Sequence, residues 1–556
     1  MARFTGGVRA MLWLLVGLCG SAVAAGADNP FLPAQDPAPI LRAIARERPD
    51  FVPPAGVSGI TVPHHLLAAE LIARGFWAAS AGHYRRIILI SPDHFRKVQA
   101  PFGTTREALR SVLGVVPSDA AGVAALAADT RLVQVLPAVD YEHGLMAEAP
   151  FIALFFPGAE VIPVLASINA TPADWRAMAA LLKPLATADT LIVQSTDFSH
   201  YRPLPEAIAR DQESIAVLDA GDPEAVVPLL QPAHMDSKAA TYLQMALQRD
   251  VFGAAPVVLA NGNSATYGTG PDSTTSYVVA AWLKDAAAGT VFSYADTTRL
   301  FFAGDVLLGR YFLPLLQQPK SWTAIRDAVL AVTRGAPLAI NLEGVLLDGP
   351  VTGVGRDAHL MTTEDAAPML AALNVVAADL ANNHANDLGP EGRAETVAQL
   401  GRLGIRPLEH GTVTDMGAFR LLALNFVGGR LVGDAIADAR DLDWVCRLSA
   451  APPLVAMVHW GEEYTAAATA RERDIAQKLM RCGVSLVVGG HSHQAAQAVQ
   501  PVAGGAGQMV FSLGNFLFDQ SSPRGSSALL EVRVFKQGTV AARLLPMPNL
   551  FELGRE

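Results

Sequence analysis

From Val57 onward, short apolar runs alternate with longer amphipathic stretches. Arg86–Ser91 (RIILIS), Glu160–Leu165 (EVIPVL), Thr190–Gln194 (TLIVQ) and Pro256–Ala260 (PVVLA) are continuous apolar runs of strand length. Ala68–Ala79 and Trp175–Leu185 carry helical spacing instead. Strands that are apolar throughout must be covered on both faces, so the alternation predicts an α/β domain with a largely parallel or mixed sheet. Asp285–Thr298 (DAAAGTVFSYADTT) interrupts the pattern, and a second α/β series follows. Its apolar runs are Leu300–Ala303, Leu338–Asn341, Val375–Ala378, Leu454–Val458, Val484–Val488 and Met509–Ser512. The pattern predicts one domain over 57–285, a linker over 286–298 and a second domain over 299–550. The Pro- and Ala-rich residues 26–56 read as an extended lead-in.

Composition narrows the class. A chain of 556 residues exceeds one ordinary core, and 51% hydrophobic with 17% charged residues is globular. The net charge of -10 disfavours nucleic acid and anionic membrane surfaces as partners, because phosphate binding needs excess Lys and Arg. Residues 1–25 read as a secretory signal. Arg3 and Arg9 precede an apolar run too short to span a bilayer (Met11 to Gly20), and Ala22-Val23-Ala24 fits a small-x-small cleavage site. The expectation is export to the periplasm or the extracellular space, with no integral span after signal removal. Cys446 and Cys482 form no CxxC pair and read as single buried thiols, although an oxidising compartment would permit a disulfide.

In the second series, five apolar runs each deliver a metal-capable side chain just past the carboxyl end. They lead to Asp305, Glu343, Asn382-Asn383-His384, His459 and His491-Ser492-His493. Ligands of open α/β sheets bind at that edge, where several loops converge. One histidine after one strand is usually structural. Five strand ends carrying Asp, Glu, Asn, His and His-x-His are harder to explain as packing, because burying so many polar groups costs several kcal/mol unless something pairs with them. One or two divalent cations would do so, and mixed carboxylate and imidazole ligation suits Zn, Mn or Fe.

The motifs GDVLLGR (304–310), NLEG (341–344), ANNHANDLG (381–389), HWGEEY (459–464), GGHSH (489–493) and SLGNFLFDQ (512–520) resemble the CapA (capsule and poly-γ-glutamate) family over roughly 297–520. That resemblance implies a metallophosphoesterase-like sandwich of two sheets with helices outside. It makes Asp305, Glu343, Asn383, His459, His491 and His493 metal ligands, with Glu343 bridging two ions. His384 is implied as the acid that protonates the leaving oxygen and Asp305 shares in catalysis; Arg310 either holds an anionic group of the substrate or is a surface or structural arginine. A metal pair would clamp the attacking and leaving oxygens. The usual Asp-x-His of phosphoesterases is replaced by Asp305-Val306-Leu307, so one imidazole is missing. Asn515 is a residue of the cleft wall, whereas Asp519 and Asn386 read as turn formers.

The first series repeats the logic. VPHH (62–65), SPDHF (91–95), EHG…PF (142–151) and DFSHY (197–201) resemble the Memo family, including AmmeMemoRadiSam system protein B, over about 57–283. The fold implied is that of LigB-type non-haem iron dioxygenases. His64 and His94 are implied metal ligands, with Asp197, His200 and His143 lining the same site, which would take Fe, Cu or Zn. Some members carry a cysteine where this chain has Asn261-Gly262-Asn263, so the third ligand is open; Glu148 and Asp197 are the candidate carboxylates. His83, His234, His359 and His410 match no motif and read as surface or packing residues; His65 has the same default, with a role at the site left open because it adjoins His64.

Three functions stay open from sequence. The first is an exported metal-dependent hydrolase acting on a capsule-type polymer, such as poly-γ-glutamate or an exopolymer, or on a small phosphoester or amide. The second is a metal- and polymer-binding assembly protein without turnover. The third is redox or dioxygenase-type chemistry in the N-terminal half.

Overall fold

The computed structural model describes residues 36–350, 358–428, 435–448, 451–502 and 507–556. The signal segment expected over 1–25 lies outside the described residues. Two α/β halves follow one another, as the alternation predicts.

The first half is built on a nine-stranded sheet. Its main strands are β1 (Val57–Val62), β2 (Arg86–Pro92), β3 (Phe102–Thr105), β4 (Val133–Leu136), β5 (Glu160–Ala166), β6 (Thr190–Ser195), β7 (Ala255–Asn263) and β8 (Thr274–Leu283). They lie in the order β7-β8-β1-β6-β2-β5-β3-β4, with the short strand His200–Arg202 paired to β8. The central four, β1, β6, β2 and β5, are mutually parallel. Alternate residues of these strands enter separate cores. Ile87, Leu89, Leu191 and Val193 pack with the helix Ala69–Ala79, whereas Ile88, Ile90 and Ile192 pack with the helices Pro172–Leu182 and Lys238–Leu247. Both faces are therefore covered, which is why these runs are apolar throughout.

The lead-in is not extended. Ala38–Arg46 is a helix whose Ile40, Ala43 and Ile44 are buried, and Trp77 Nε1 donates to the Ile44 carbonyl at 2.8 Å. The 40/43/44 spacing is one helical face, and the prolines stand at its start, where a missing N–H costs nothing. The linker is packed as well. Phe292 is fully buried, and Arg74 holds both Asp296 oxygens at 3.0 Å.

The second half is a sandwich. One sheet runs β12-β11-β10-β9-β19-β20, and the other β13-β14-β15-β16-β18-β17. The strands are β9 (Thr297–Val306), β10 (Leu338–Leu342), β11 (Val375–Asp379), β12 (Arg406–Leu408), β13 (Thr412–Asp415), β14 (Arg420–Asn425), β15 (Leu454–His459), β16 (Val484–Gly490), β17 (Gln500–Pro501), β18 (Gln508–Val510), β19 (Ser527–Phe535) and β20 (Val540–Met547). Leu300, Phe302, Ala339 and Ala377 face the second sheet, meeting Leu422, Val455 and Val487. Their sequence neighbours Phe301, Ala303 and Ile340 point outward to Ile325, Met369 and Leu400 of covering helices. Each sheet is thus apolar on both faces, which demands the helical layer outside.

The halves share an interface. The helix Leu204–Ala220 lies along β20, the edge of the first sandwich sheet. The Gln212 amide donates to the Val540 carbonyl and accepts its N–H, both at 2.8 Å, and Asp219 accepts the Ala542 N–H at 2.7 Å. Those side chains occupy backbone groups that would otherwise template another strand. Cys446 and Cys482 are joined by a disulfide, correcting the reading as separate thiols. Among the described residues, no helix is long and apolar enough to cross a membrane.

Candidate functional site

The carboxyl ends of β9, β10, β15 and β16, with the loop after β11, converge on one cavity of about 370 Å³. Asp305, Glu343, His459, His491 and His493 are all buried. Close backbone approach makes this possible: a Cβ on Gly304 would lie 1.8 Å from the Gly514 carbonyl, so no other residue fits before Asp305. A Cβ on Gly490 would press to 3.0 Å from Asp305 Oδ1. His491 and His493 sit at φ of 86° and 60°, a left-handed conformation costing such residues about 1–3 kcal/mol each. The fold holds this strain where the imidazoles must turn inward.

The donors form interlocking groups. Asp305, Glu343 and His493 offer ligand atoms within 4.8 Å of one another, and so do Glu343, His459 and His491. Asn383 Oδ1 lies 2.8 Å from His459 Nε2. All six residues read as ligands from the sequence are therefore brought together. Glu343 Oε2 and His491 Nδ1 are buried without a hydrogen-bond partner. Such orphans are costly, and their chemistry, carboxylate and imidazole, fits a divalent cation.

Electrostatics here follow burial and pairing. Burial and then the Asp305 charge push Glu343 up to about 7. Burial opposes ionisation of Asp305 too, but contact with His493 outweighs it and holds Asp305 at about 2. Burial would lower His493, yet Asp305 and Glu343 raise it to about 9. Burial followed by the neighbouring His491 drives His459 well down. His493 Nδ1 lies 3.2 Å from Asp305 Oδ2, the contact behind both shifts.

His384 stands at the cavity wall. Its Nδ1 meets Asp387 Oδ2 at 2.9 Å, and its Nε2 is 3.8 Å from Glu343 Oε1. Its ring stacks on His359 with centroids 3.6 Å apart. His359, read from sequence as a packing residue, lines this cavity, donating its backbone N–H to Asp387 at 2.7 Å. Asp519 is not a turn former. It takes Arg310 Nε at 3.1 Å and Nη2 at 2.6 Å, fixing the guanidinium at the cavity. Asn515 accepts from His493 Nδ1 at 2.8 Å. Asn341, passed over in the sequence, ties the cluster: its Nδ2 donates to Asp305 at 2.7 Å and lies 3.2 Å from His459 Nδ1.

A second constellation sits at the carboxyl ends of β1, β2 and β6. His64, His94 and His143 offer ring nitrogens within 4.8 Å of one another. Asp197 accepts the His64 N–H at 3.1 Å. His200 lines, with His94 and Asp236, a cavity of about 300 Å³, while its Nδ1 donates to the Phe198 carbonyl at 2.5 Å. A carboxylate the sequence did not single out, Asp236, lies 3.1 Å from His64 Nε2, and His64, Asp197 and Asp236 offer ligand atoms within 4.8 Å of one another. Asn261 serves the interface instead, donating to Asp211 at 2.8 Å and accepting from Thr539 at 2.6 Å.

Glu148, a carboxylate candidate from sequence, is fully buried, and neither of its oxygens has a hydrogen-bond partner. Burial, then the Asp197 charge, holds it well above its ordinary 4.5. A group so raised takes up a proton on folding. Its contribution is fully present below pH 4.5 and lost as pH rises toward the folded value. Glu148→Gln is therefore expected to raise the Tm by about 2–4 °C at pH 8, for about 1 kcal/mol. The gain should shrink toward pH 4.5. Thermal unfolding at both pH values checks this, and equal shifts would contradict it.

Comparison with known proteins agrees with this division. Residues 41–280 match the family model of Memo-like proteins, and residues 299–415 and 433–520 match that of bacterial capsule synthesis protein PGA_cap. The PGA biosynthesis protein CapA of Bacillus subtilis (strain 168) is 25% identical over 293 residues, which are 48% of this chain and 76% of that protein. The capsule biosynthesis protein CapA of Bacillus anthracis is 22% identical over 304 residues, 49% of this chain and 72% of its own. A crystal structure of a hypothetical protein from Thermus thermophilus aligns with 45% of this chain and all of its own, at 17% identity and a TM-score of 0.28. The two family-model matches and the CapA relatives bear out the two resemblances carried by the sequence motifs.

Proposed function

We propose that this chain, a Memo-like segment joined to a capsule-synthesis segment, is an exported metal-dependent hydrolase whose C-terminal site acts on a capsule-type polymer or a phosphoester. One observation carries the reading. Six carboxylate, amide and imidazole donors from five strand ends meet beside a cavity, and two of their buried polar atoms, Glu343 Oε2 and His491 Nδ1, have no hydrogen-bond partner. Asp305, Glu343, Asn383, His459, His491 and His493 would hold one or two divalent ions, Zn, Mn or Fe by donor type. A bound ion supplies Lewis-acid charge and makes water a nucleophile near neutral pH.

The chain's own residues supply the rest. Asp387 fixes His384 through Nδ1, so Nε2 faces Glu343 and can deliver a proton to a leaving oxygen. Burial lowers the His384 pKa, but Asp387 and Glu343 outweigh it and raise it, favouring the protonated form that an acid requires. Arg310, braced in the cavity wall by Asp519, presents a fixed cation to an anionic substrate. The disulfide supports export, because such bonds persist in oxidising compartments.

A second reading, polymer binding without turnover, draws on Leu307. This buried apolar residue stands where phosphoesterases place an imidazole. The two part experimentally. The full chain, purified without added metal, is assayed for metal content and for hydrolysis of chromogenic phosphoesters and γ-glutamyl polymers. Hydrolysis that falls about 100-fold or more in His384→Ala, with metal retained, supports the hydrolase. A metal-loaded chain that turns over neither substrate class supports binding.

A further inference from the structure

We propose that Asp236 is the carboxylate ligand of a divalent-metal centre in the N-terminal half, completing a two-imidazole, one-carboxylate set with His64 and His94. The hydrogen bonds on the far side of each ring carry the first part of the argument. His94 Nδ1 is 2.6 Å from Glu142 Oε1, and His64 Nδ1 is 3.1 Å from Ser195 Oγ. Glu142 is fully buried and also accepts the His94 N–H at 3.0 Å, so that ring is fixed. Nδ1–H donation to such partners leaves each Nε2 lone pair free to ligate, the arrangement that outer-shell groups impose on metal-binding histidines.

Both Nε2 atoms point at one oxygen. Asp236 Oδ2 lies 3.1 Å from His64 Nε2 and 3.6 Å from His94 Nε2. The Asp236 side chain is 8% exposed, and its Oδ1 is buried with no hydrogen-bond partner. Asp197, the carboxylate prominent in the sequence, has another task. Its Oδ1 accepts the His64 N–H at 3.1 Å, its own N–H donates to Asp236 Oδ2 at 3.2 Å, and its Oδ2 is 3.7 Å from His64 Nε2. Asp197 therefore braces the two ligands. The cavity of about 300 Å³ beside Asp236 and His94 leaves an open side for a small molecule.

The donor set selects the ion. Asp236 and two imidazoles are N and O donors, suited to Fe(II), Mn(II) or Zn(II). The neighbouring thioether of Met235 is turned into the apolar cluster with Phe198 and Val226. The two described cysteines are tied in the disulfide of the other half, so among the described residues no free thiolate competes for Cu(I).

The test uses the full chain carrying Asp305→Ala and His491→Ala, which silence the C-terminal centre. Calorimetric titration with Zn(II) and Mn(II) is expected to show one remaining site. Asp236→Asn, nearly isosteric, should weaken that site about 100-fold or more, whereas Asp197→Asn should cost about tenfold or less, the lower end for an outer-shell partner. Anomalous scattering from crystals of the unmutated chain grown with Mn(II) gives a second, variant-free readout. An ion about 2.0–2.3 Å from an Asp236 oxygen and from both Nε2 atoms is the expected result. Undiminished binding in Asp236→Asn, a larger loss in Asp197→Asn, or an ion not coordinated by Asp236 would overturn the assignment.

Discussion

Asp305→Ala is expected to empty the C-terminal centre, lowering divalent-metal affinity about 100-fold or more and taking hydrolysis to background. Asp305 is the residue on which the cluster's contacts converge. One oxygen accepts from Asn341 at 2.7 Å and from the His491 N–H at 3.4 Å, and the other faces His493 at 3.2 Å. Removing the carboxylate deletes a ligand and also releases the groups that aim two imidazoles. Losses of that kind exceed the 10- to 100-fold typical of outer-shell changes. Asn341→Ala isolates the positioning part. It keeps every ligand but removes the amide that holds Asp305 and His459, so its loss should stay within that 10- to 100-fold range. Metal titration of both variants, with circular dichroism as the folding control, checks the pair. Equal losses in the two variants would mean that Asp305 acts only through geometry.

The convergence of these donors was legible because each member follows an apolar run that can only be a buried strand. The carboxyl edge of a parallel sheet is where such residues meet, so type and position together located Asp305, Glu343, Asn383, His459, His491 and His493. The same rule found His64 and His94. It was blind to Asp236, which lies in the segment Gln231 to Ser237 with no strand leading into it, and whose place beside His64 depends on a fold-back across the sheet. His359 was missed likewise: it precedes only a three-residue strand, and its contact with His384 spans 25 positions. Asp519 looked like a turn former because Asp often is; only the tertiary fold places Arg310 against it. The helix Ala38–Arg46 was obscured by prolines that mark its start. The disulfide was not readable at all, since pairing depends on distance across the fold.

The interface offers the largest expected stability effect. Glu531, in the middle of β19, is 1% exposed and is the shared partner of three arginines. Its Oε1 accepts from Arg533 at 2.7 Å and lies 3.6 Å from Arg299, while Oε2 accepts from Arg543 Nε at 3.2 Å. The same guanidiniums bind the segment between the halves: Arg299 donates to the Thr290 carbonyl at 2.6 Å, Arg533 to the Phe292 carbonyl at 2.9 Å, and Arg543 to the Ala286 carbonyl. Glu531→Ala would strand buried cations without their counter-charge, a change costing about 3–5 kcal/mol. That corresponds to a fall in Tm of roughly 10 °C, with earlier proteolysis between 286 and 298. Burial would raise the Glu531 pKa, but Arg533 and Arg543 outweigh it and lower it below 4.5. The stability that Glu531 adds is therefore present above pH 4.5 and lost as pH falls through the folded value. Glu531→Gln mimics the protonated acid, so its deficit against the unmutated chain should be full at pH 7 and close on acidification. Thermal unfolding across that range is decisive: a deficit that does not change with pH would assign Glu531 a packing role, whereas closure identifies its charge as the tie between the two halves.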